Sequence, residues 1–250
     1  MVDERPFLLV VAGPNGAGKT SLTAHLRERF DFGTYINPDD IAATLEGSYD
    51  HRVRQAQDLA DNLRAEAIEA RRSFSFETVF SDRRKLLLLE RARSAGFEIF
   101  LYFVGVEDPR INLERVKARV ELGGHDVPVD KIIARYQRGM DLLPEILQRV
   151  DHAYIFDNSI TSLEPHDFAG RLIAAAGSMD GGVTIQLRAR VPSWVSRFLV
   201  EPAIAHDWTI DTYPAERELP AVHPAPELTV VVPTFKERDN IPLLVGKLAH

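Results

Sequence analysis

A glycine-rich loop near the amino terminus constrains this chain more than any other feature. Residues 7–22 read FLLVVAGPNGAGKTSL, an apolar run followed by glycines, a lysine and a threonine. The pattern G-x-x-x-x-G-K-[ST] is typical of loops whose backbone N–H groups bind phosphates. The apolar run predicts a buried strand, and the residues after the loop predict a helix whose N-terminus faces the same anion. We therefore expect a strand–loop–helix unit that binds a nucleoside triphosphate.

The loop also supplies the candidate nucleotide-binding residues. Lys19 brings a positive charge to the β- and γ-phosphates, and Thr20 offers a hydroxyl group to Mg²⁺. The expected set is Gly13, Pro14, Asn15, Gly16, Ala17, Gly18, Lys19, Thr20 and Ser21.

The composition argues against several other classes of protein. A net charge of −7 over 250 residues gives no basic surface for nucleic acid. The absence of cysteine removes disulfides, thiolate zinc sites and cysteine nucleophiles. No segment approaches the roughly 18 apolar residues of a membrane span, and the N-terminus lacks the pattern of a signal peptide. We expect a soluble, cytoplasmic protein with no nucleic-acid or membrane partner.

Strands and helices alternate along the chain, which predicts an α/β fold with a parallel sheet. The predicted strands are Phe7–Ala12, Thr34–Asn37, Ser73–Phe80, Glu98–Val106 and Ala153–Phe156. The predicted helices are Lys19–Arg29, His51–Arg72, Arg83–Ser94, Val129–Arg149 and one around residues 167–176.

The composition and periodicity of the sequence change near residue 178. Eight of the fifteen prolines lie between Pro192 and the end, and helical periodicity fades. We therefore predict a domain over 1–178, a Pro-rich linker or irregular extension over 179–226, and an incomplete βα unit over 227–250. A chain ending at Ser178 is expected to keep its activity.

Other sequence signals narrow the class of phosphate-loop protein. The LSGGQ-like stretch of ABC-type ATPases and the NKxD-like stretch of GTPases are both absent. Leu86–Glu90 imitates the acidic strand of motor ATPases but lies inside a predicted helix. Asp108, before Pro109, is better explained as a helix N-cap.

Three carboxylates follow the predicted strands that accompany the loop. Asp39 and Asp40 come after the strand at 34–37, and Glu77 lies near the end of the strand at 73–80. Ligands of open parallel sheets bind outside the carboxyl ends of the strands, where a carboxylate can accept a hydroxyl proton. The alternatives are helix capping for Asp39 and a solvated strand end for Glu77.

Residues 110–138 contain five arginines and two lysines around a central Gly-Gly and Pro128. A helix–hinge–helix rich in arginine predicts a lid that closes over the transferring phosphoryl group. A solvated pair of charged helices explains the same pattern.

Four segments in order, GPNGAGKTS, INPDDIA, SFSFETVFS and RVKARVELGGHDVP, resemble the zeta-toxin-like family of phosphate-loop kinases over about residues 5–178. The closest likeness is to the branch often labelled predicted ABC-type ATPases. The resemblance implies a fold like that of small nucleoside and shikimate kinases. It also implies ATP- and Mg²⁺-dependent phosphorylation of a sugar hydroxyl, UDP-N-acetylglucosamine in the better-known relatives, and a possible antitoxin protein as partner.

The resemblance also implies roles for individual residues. Asp39 matches the base that acts on the acceptor hydroxyl, and Glu77 matches the acid that binds the acceptor. Arg115 or Arg119 matches the first lid arginine, whereas His125 stands where the second is expected, and Arg135 can replace it. The strand at Glu77 reads Glu-Thr-Val-Phe instead of carrying a glycine-flanked threonine. The expected acceptor-binding set is Glu77, Thr78, Asp40, His125 and Arg135.

A second, shorter resemblance lies at the C-terminus. Residues 227–246, ELTVVVPTFKERDNIPLLVG, resemble the first strand and turn of family 2 glycosyltransferases. The Asp-x-Asp metal motif of that family is missing, so we assign no activity to this segment. The alternatives to a small-molecule kinase are an ATPase or regulatory module without an acceptor and the N-terminal part of a kinase–glycosyltransferase fusion.

The first testable prediction concerns the loop lysine. Lys19→Ala should abolish turnover of ATP, because the charge that develops on the β- and γ-phosphates then lacks its partner. A phosphate-release or transfer assay on the purified variant measures this. Retention of more than about a tenth of the activity, a loss below ~1.4 kcal/mol, would contradict the assignment.

Overall fold

One mixed β-sheet organises the residues that the structure, a computed structural model, describes: 5–123, 127–160, 168–179 and 182–212. The strand order across this sheet is β2-β3-β1-β4-β5-β6-β7-β8. In chain order the strands are β1 (Phe7–Ala12), β2 (Thr34–Tyr35), β3 (Phe74–Thr78), β4 (Glu98–Gly105), β5 (His152–Asp157), β6 (Arg171–Met179), β7 (Gly182–Leu187) and β8 (Thr209–Thr212).

The first five strands are parallel, as the sequence predicts. β1 lies in the middle, and its Val10 pairs with Phe76 of β3 on one side and Leu101 of β4 on the other. All three side chains are buried, which explains why these strands read as continuous apolar runs. Because the strands are parallel, the phosphate loop after β1 and the acidic end of β3 lie at the same edge of the sheet.

Helices connect the parallel strands, and local sequence explains several of their ends. Asp108 caps α5 by accepting a hydrogen bond from the Arg110 N–H at 2.8 Å, with Pro109 as the first helical residue. The helix predicted over Val129–Arg149 is divided in two. The helices are α1 (Lys19–Arg27), α2 (Pro38–Thr44), α3 (Tyr49–Glu69), α4 (Arg84–Ser94), α5 (Pro109–Glu121), α6 (Val129–Asp141), α7 (Leu143–Leu147), α8 (Ser193–Val195), a π-helix (Ser196–Val200) and α9 (Glu201–Ala205).

The helix expected around residues 167–176 is wrong, because residues 171–179 form β6. This strand runs antiparallel to β5, with Ala175 opposite Tyr154. Its alanines favour a helix in isolation, but by less than about 1 kcal/mol per residue. Small side chains also allow β6 to be buried within the sheet, and Ile173 and Ala174 are almost fully covered. Tertiary packing therefore outweighs the local preference.

The sheet continues beyond the boundary that the sequence indicates near residue 178. β7 pairs antiparallel with β6, and β8 adds in parallel to β7. We call residues 182–212 the C-terminal extension. It is regular and not an irregular linker, and it buries Trp194, Val195, Phe198 and Leu199 in the common core. The glycosyltransferase-like stretch lies outside the described residues.

Among the described residues, no helix combines the length and the apolar character that crossing a bilayer requires.

The shared core predicts that truncation at Ser178 is damaging, in contrast to the expectation from sequence. Removing the four buried side chains named above costs about 1.5–3 kcal/mol each, a large part of the stability of an ordinary domain. We expect the shortened chain to aggregate or to unfold at much lower denaturant concentration. A chain ending at Thr212 retains every described residue and is the control. Equal unfolding midpoints for the two chains would contradict the shared core.

Candidate active site

The phosphate loop joins the carboxyl end of β1 to the first turn of α1. All nine residues of the expected nucleotide-binding set, Gly13 to Ser21, lie in this connection or in that first turn. α1 begins at Lys19, so its N-terminus faces the volume that the loop encloses. Free N–H groups and the helix dipole at this point favour a bound anion.

Two buried asparagines hold the outer side of the loop. The Asn112 Nδ2 group donates to the carbonyl of Asn15 at 2.6 Å, and the Asn158 Nδ2 group donates to that of Ala17 at 2.8 Å. Asn112 is 0% exposed and Asn158 is 7% exposed. With these carbonyls bonded away from the site, the loop is shaped to present its N–H groups to phosphate.

Sequence reasoning missed both asparagines. Asn112 lies in α5 and Asn158 directly follows β5, so their only common property is a position near the carboxyl edge of the sheet. A search for polar residues at strand ends finds Asn158, whereas no local signal indicates Asn112.

Two cations approach two further carbonyls of the loop. The Lys19 ammonium donates to the Pro14 carbonyl at 2.9 Å. The Arg115 guanidinium lies 3.5 Å from the Gly16 carbonyl and donates to the Ile160 carbonyl at 3.0 Å. The first candidate lid arginine thus contacts the phosphate loop itself.

Glu77, at the end of β3, lies directly against the loop. Its Oε2 atom accepts a hydrogen bond from the Thr20 hydroxyl at 3.0 Å, and its Oε1 atom accepts one from the Tyr35 hydroxyl at 2.9 Å. Burial and the neighbouring carboxylate raise the pKa of Tyr35 well above its usual range, which keeps this hydroxyl a donor. Sequence reasoning also missed Tyr35.

Asp39 and Asp40 occupy the first turn of α2. The helix is capped by Asn37, whose side chain accepts from the Asp39 N–H at 3.1 Å. Both aspartates are exposed. Capping therefore does not account for Asp39, because Asn37 already performs it.

Charges from four elements act on the Lys19 ammonium. Burial lowers the pKa of Lys19 to about 8; the carboxylates of Glu77 and Asp39 raise it, and the guanidinium groups of Arg119 and Arg135 lower it. The charges of Asp39, Glu77, Arg119 and Arg135 therefore all act on one cation at the carboxyl edge of the sheet. The structure brings these sequence-predicted residues together.

The two arginine-rich helices of the predicted lid each bring one arginine near the site. α5 carries Arg119 and α6 carries Arg135, and both lie close enough to influence Lys19. The Tyr136 hydroxyl ties α6 to the end of β4 by donating to the Val106 carbonyl at 2.9 Å. His125 lies outside the described residues, so its predicted role stays a prediction.

Thr78 has a local bonding partner. Its hydroxyl accepts from the Phe80 N–H at 3.0 Å, and Phe80 has a left-handed backbone with φ of 51°. A bulky residue in this conformation is strained, and such strain is concentrated near functional sites.

A buried arginine lies beneath the acidic turn. Arg64 of α3 is 2% exposed, pairs with Asp61 at 2.7 Å and lies 4.6 Å from the centre of the Phe76 ring. Its Nη2 atom also lies 3.5 Å from the carbonyl of Ile36, close to the start of α2. The sequence gives no hint that this arginine is internal.

The residues present fit a magnesium ion that accompanies nucleotide phosphates. Among the described residues there is no cluster of three or more histidine or acidic side chains able to hold a metal alone. Magnesium beside phosphates needs only one or two protein oxygens, since the phosphates and water supply the rest. The Thr20 hydroxyl and the adjacent Glu77 carboxylate are oxygens of the required kind.

The family model for the zeta toxin matches residues 1–164. The chain belongs to the zeta toxin family. This confirms the resemblance inferred from the four sequence segments. As a member of this family, the protein is an ATP-dependent phosphotransferase that binds ATP, with Mg²⁺ as the usual accompanying ion.

Individual proteins are similar to this chain over different lengths. An uncharacterised protein of Haemophilus influenzae is 30% identical over 125 residues, which are 50% of this chain and 88% of that protein. A structure from the PezAT toxin–antitoxin system of Streptococcus pneumoniae has a TM-score of 0.47 at 13% identity, covering 66% of this chain and 73% of its own. The AvrRxo1-ORF1:ORF2 structure with ATP has a TM-score of 0.51 at 15% identity and covers 71% of this chain. The match spans only 61% of that protein's length and supports the fold alone.

Gly18 provides a test of the asparagine contact. Its φ is 99°, and a Cβ atom there would lie 2.4 Å from Asn158 Nδ2. Gly18→Ala should therefore displace the side chain that holds the Ala17 carbonyl and weaken ATP binding by about tenfold or more. Isothermal titration measures the affinity.

Gly47→Ala is the matched control. Gly47 also has a positive φ, 115°, but a Cβ atom there meets only His51 at an ordinary 3.4 Å. Equal ATP affinities for the two variants would show that the Asn158 contact does not matter.

The lowered pKa of Lys19 predicts a pH dependence of ATP binding. Phosphate binds the charged ammonium, so affinity should be highest below pH 8 and fall as the pH rises through the pKa of about 8. Binding above that pH should take up a proton, which titrations in buffers of different ionisation enthalpy detect. Lys19→Met removes the ionising group, and its weaker binding should lose this dependence between about pH 7 and 10. An unchanged pH profile in the variant would assign the dependence to another group.

Proposed function

We propose that this enzyme transfers the γ-phosphoryl group of ATP to a hydroxyl of a sugar or nucleotide sugar, UDP-N-acetylglucosamine being the model acceptor. The observation that carries the proposal is the convergence of Asp39, Glu77, Arg119 and Arg135 on Lys19. A site for hydrolysis alone needs to orient only water. A carboxylate on a separate helix, opposite the phosphate loop, suits a bound hydroxyl acceptor.

The proposed mechanism begins with binding and charge placement. The loop N–H groups hold the phosphates, and Lys19 places its charge at the β- and γ-positions. Thr20, with Glu77 beside it, would hold a Mg²⁺ ion, which would supply positive charge to the bound phosphates. Arg119 and Arg135 approach from the lid, where their charges stabilise the phosphoryl group more strongly in the transition state than in the ground state.

The proton of the acceptor hydroxyl passes to Asp39. The acceptor oxygen attacks the γ-phosphorus as its O–H bond breaks, and ADP leaves with the bridging oxygen. Asp39 suits this step because Asn37 caps the helix in its place and leaves the carboxylate exposed to an acceptor. Asp40 lies one residue further along the same turn, where we place acceptor binding.

Glu77 serves two sides of the site in this proposal. Its hydrogen bond from Thr20 supports a role beside the metal, and its hydrogen bond from Tyr35 supports a role toward the acceptor, as the family resemblance implies. Thr78, whose hydroxyl supports the strained turn at Phe80, is assigned to acceptor binding, and the family resemblance adds His125 to this set.

A toxin restrained by an antitoxin is the biological setting that we infer from the family. Expression of the wild-type chain should then arrest bacterial growth, whereas the Lys19→Ala chain should not. Equal growth would place the enzyme outside toxin–antitoxin systems without affecting the kinase proposal.

A transfer screen tests the function directly. Purified protein, ATP and a metabolite pool that contains nucleotide sugars are incubated and analysed by mass spectrometry for a product heavier by one phosphoryl group. Release of inorganic phosphate at the same rate with and without every acceptor would favour a hydrolase instead.

Asp39→Asn tests the assignment of Asp39 as the base. The amide keeps the shape of the side chain but cannot accept the proton, so transfer should fall by roughly 10²–10⁴ while ATP affinity is retained. Asp40→Asn is the control and should mainly alter the KM for the acceptor. If Asp40→Asn abolishes transfer and Asp39→Asn is mild, the base is the neighbouring residue.

A further inference from the structure

We propose that Trp194 of the C-terminal extension is a positioning residue for the nucleotide site. It lies outside residues 1–164, over which the family model matches, so the family pattern does not include it. The inference concerns ATP binding and does not depend on which acceptor the enzyme uses.

Trp194 is built into the carboxyl edge of the sheet. The residue is 2% exposed, and its Nε1–H donates to the Asp157 carboxylate at 2.9 Å. Its ring covers the end of β4 so closely that a Cβ atom on Gly105 would lie 2.4 Å from the indole. Packing against the end of β4 holds the indole of Trp194. Its hydrogen bond to the Asp157 carboxylate then fixes the position of both groups.

A second contact joins the C-terminal extension to Glu107, just after the end of β4. The carboxylate of Glu107, just after β4, receives the Ser193 hydroxyl and lies 3.5 Å from the Trp194 backbone nitrogen. The backbone N–H of Glu107 in turn donates to the Ser159 hydroxyl at 2.9 Å, and that hydroxyl donates to Asp157 at 2.5 Å. The extension, the end of β4 and the end of β5 form one hydrogen-bonded unit.

This unit continues into the phosphate loop. Asp157, held by Trp194, is followed by Asn158, whose amide donates to the Ala17 carbonyl at 2.8 Å. The Asp157 carboxylate also acts on Arg115, which lies against the Gly16 carbonyl. Two of the side chains that shape the loop are therefore adjacent to the carboxylate that Trp194 fixes.

Trp194→Phe is the appropriate variant, because it keeps an aromatic ring and removes the Nε1–H donor. We expect ATP to bind about three- to tenfold more weakly, since a hydrogen bond to a buried carboxylate is lost. Trp208→Phe is the matched control, because Trp208 stacks on His206 beside β8 and takes no part in this unit. Its ATP affinity should equal that of the wild type.

Tryptophan fluorescence provides a second readout, because the chain contains two tryptophans and each single variant leaves one of them as the reporter. In Trp208→Phe the contact between Trp194 and Asp157 is that of the wild type. In Trp208→Phe, the fluorescence of Trp194 should change on addition of ATP, with a midpoint equal to the Kd from titration calorimetry. In Trp194→Phe, the fluorescence of Trp208 should not respond.

The outcomes separate positioning from simple packing. A lower unfolding midpoint for Trp194→Phe with unchanged ATP affinity would overturn the proposal and leave Trp194 as a core residue. If the fluorescence of Trp194 in Trp208→Phe does not change when ATP is added, the proposal is also overturned. This test applies even if Trp194→Phe fails to fold. Weaker ATP binding together with the fluorescence response supports it.

Discussion

The site depends on the direction of four carbonyl groups. Those of residues 14–17 are each approached by a side-chain nitrogen, from Lys19, Asn112, Arg115 and Asn158 in turn. A loop of this kind binds phosphate only when its N–H groups face inward, and hydrogen bonds that hold its carbonyls favour that arrangement before a ligand arrives. The donors come from α1, α5 and the end of β5, so the phosphate loop is stabilised by distant parts of the chain.

The charges around Lys19 explain how one site can suit both substrate and transition state. Two carboxylates and two guanidinium groups act on the same ammonium, so no single sign dominates. The carboxylates lie on the sheet side and at α2, whereas the arginines come from the two lid helices. In the proposed mechanism, lid closure would add positive charge at the phosphoryl group, while Asp39 would act on the acceptor.

The sequence predicts the parts of the structure that depend on local pattern. Buried parallel strands such as β1 and β4, the phosphate loop, and the capping of α5 by Asp108 follow from short-range rules that the structure confirms. The sequence does not indicate the roles of Tyr35, Asn112 and Asn158. A single polar residue carries no local signal, and its contact with the loop exists only after folding. β6 was mistaken for a helix because burial on both faces, which decides its structure, is invisible in an alanine-rich stretch.

The contact between Gly105 and Trp194 links two positions that are 89 residues apart in sequence. The indole occupies the space that any side chain at position 105 would need, so a larger residue at position 105 requires a smaller one at position 194. Chains that share the extension should therefore vary at these positions as a pair. An alignment of such chains can use the pair as a marker that distinguishes them from family members built on the kinase fold alone.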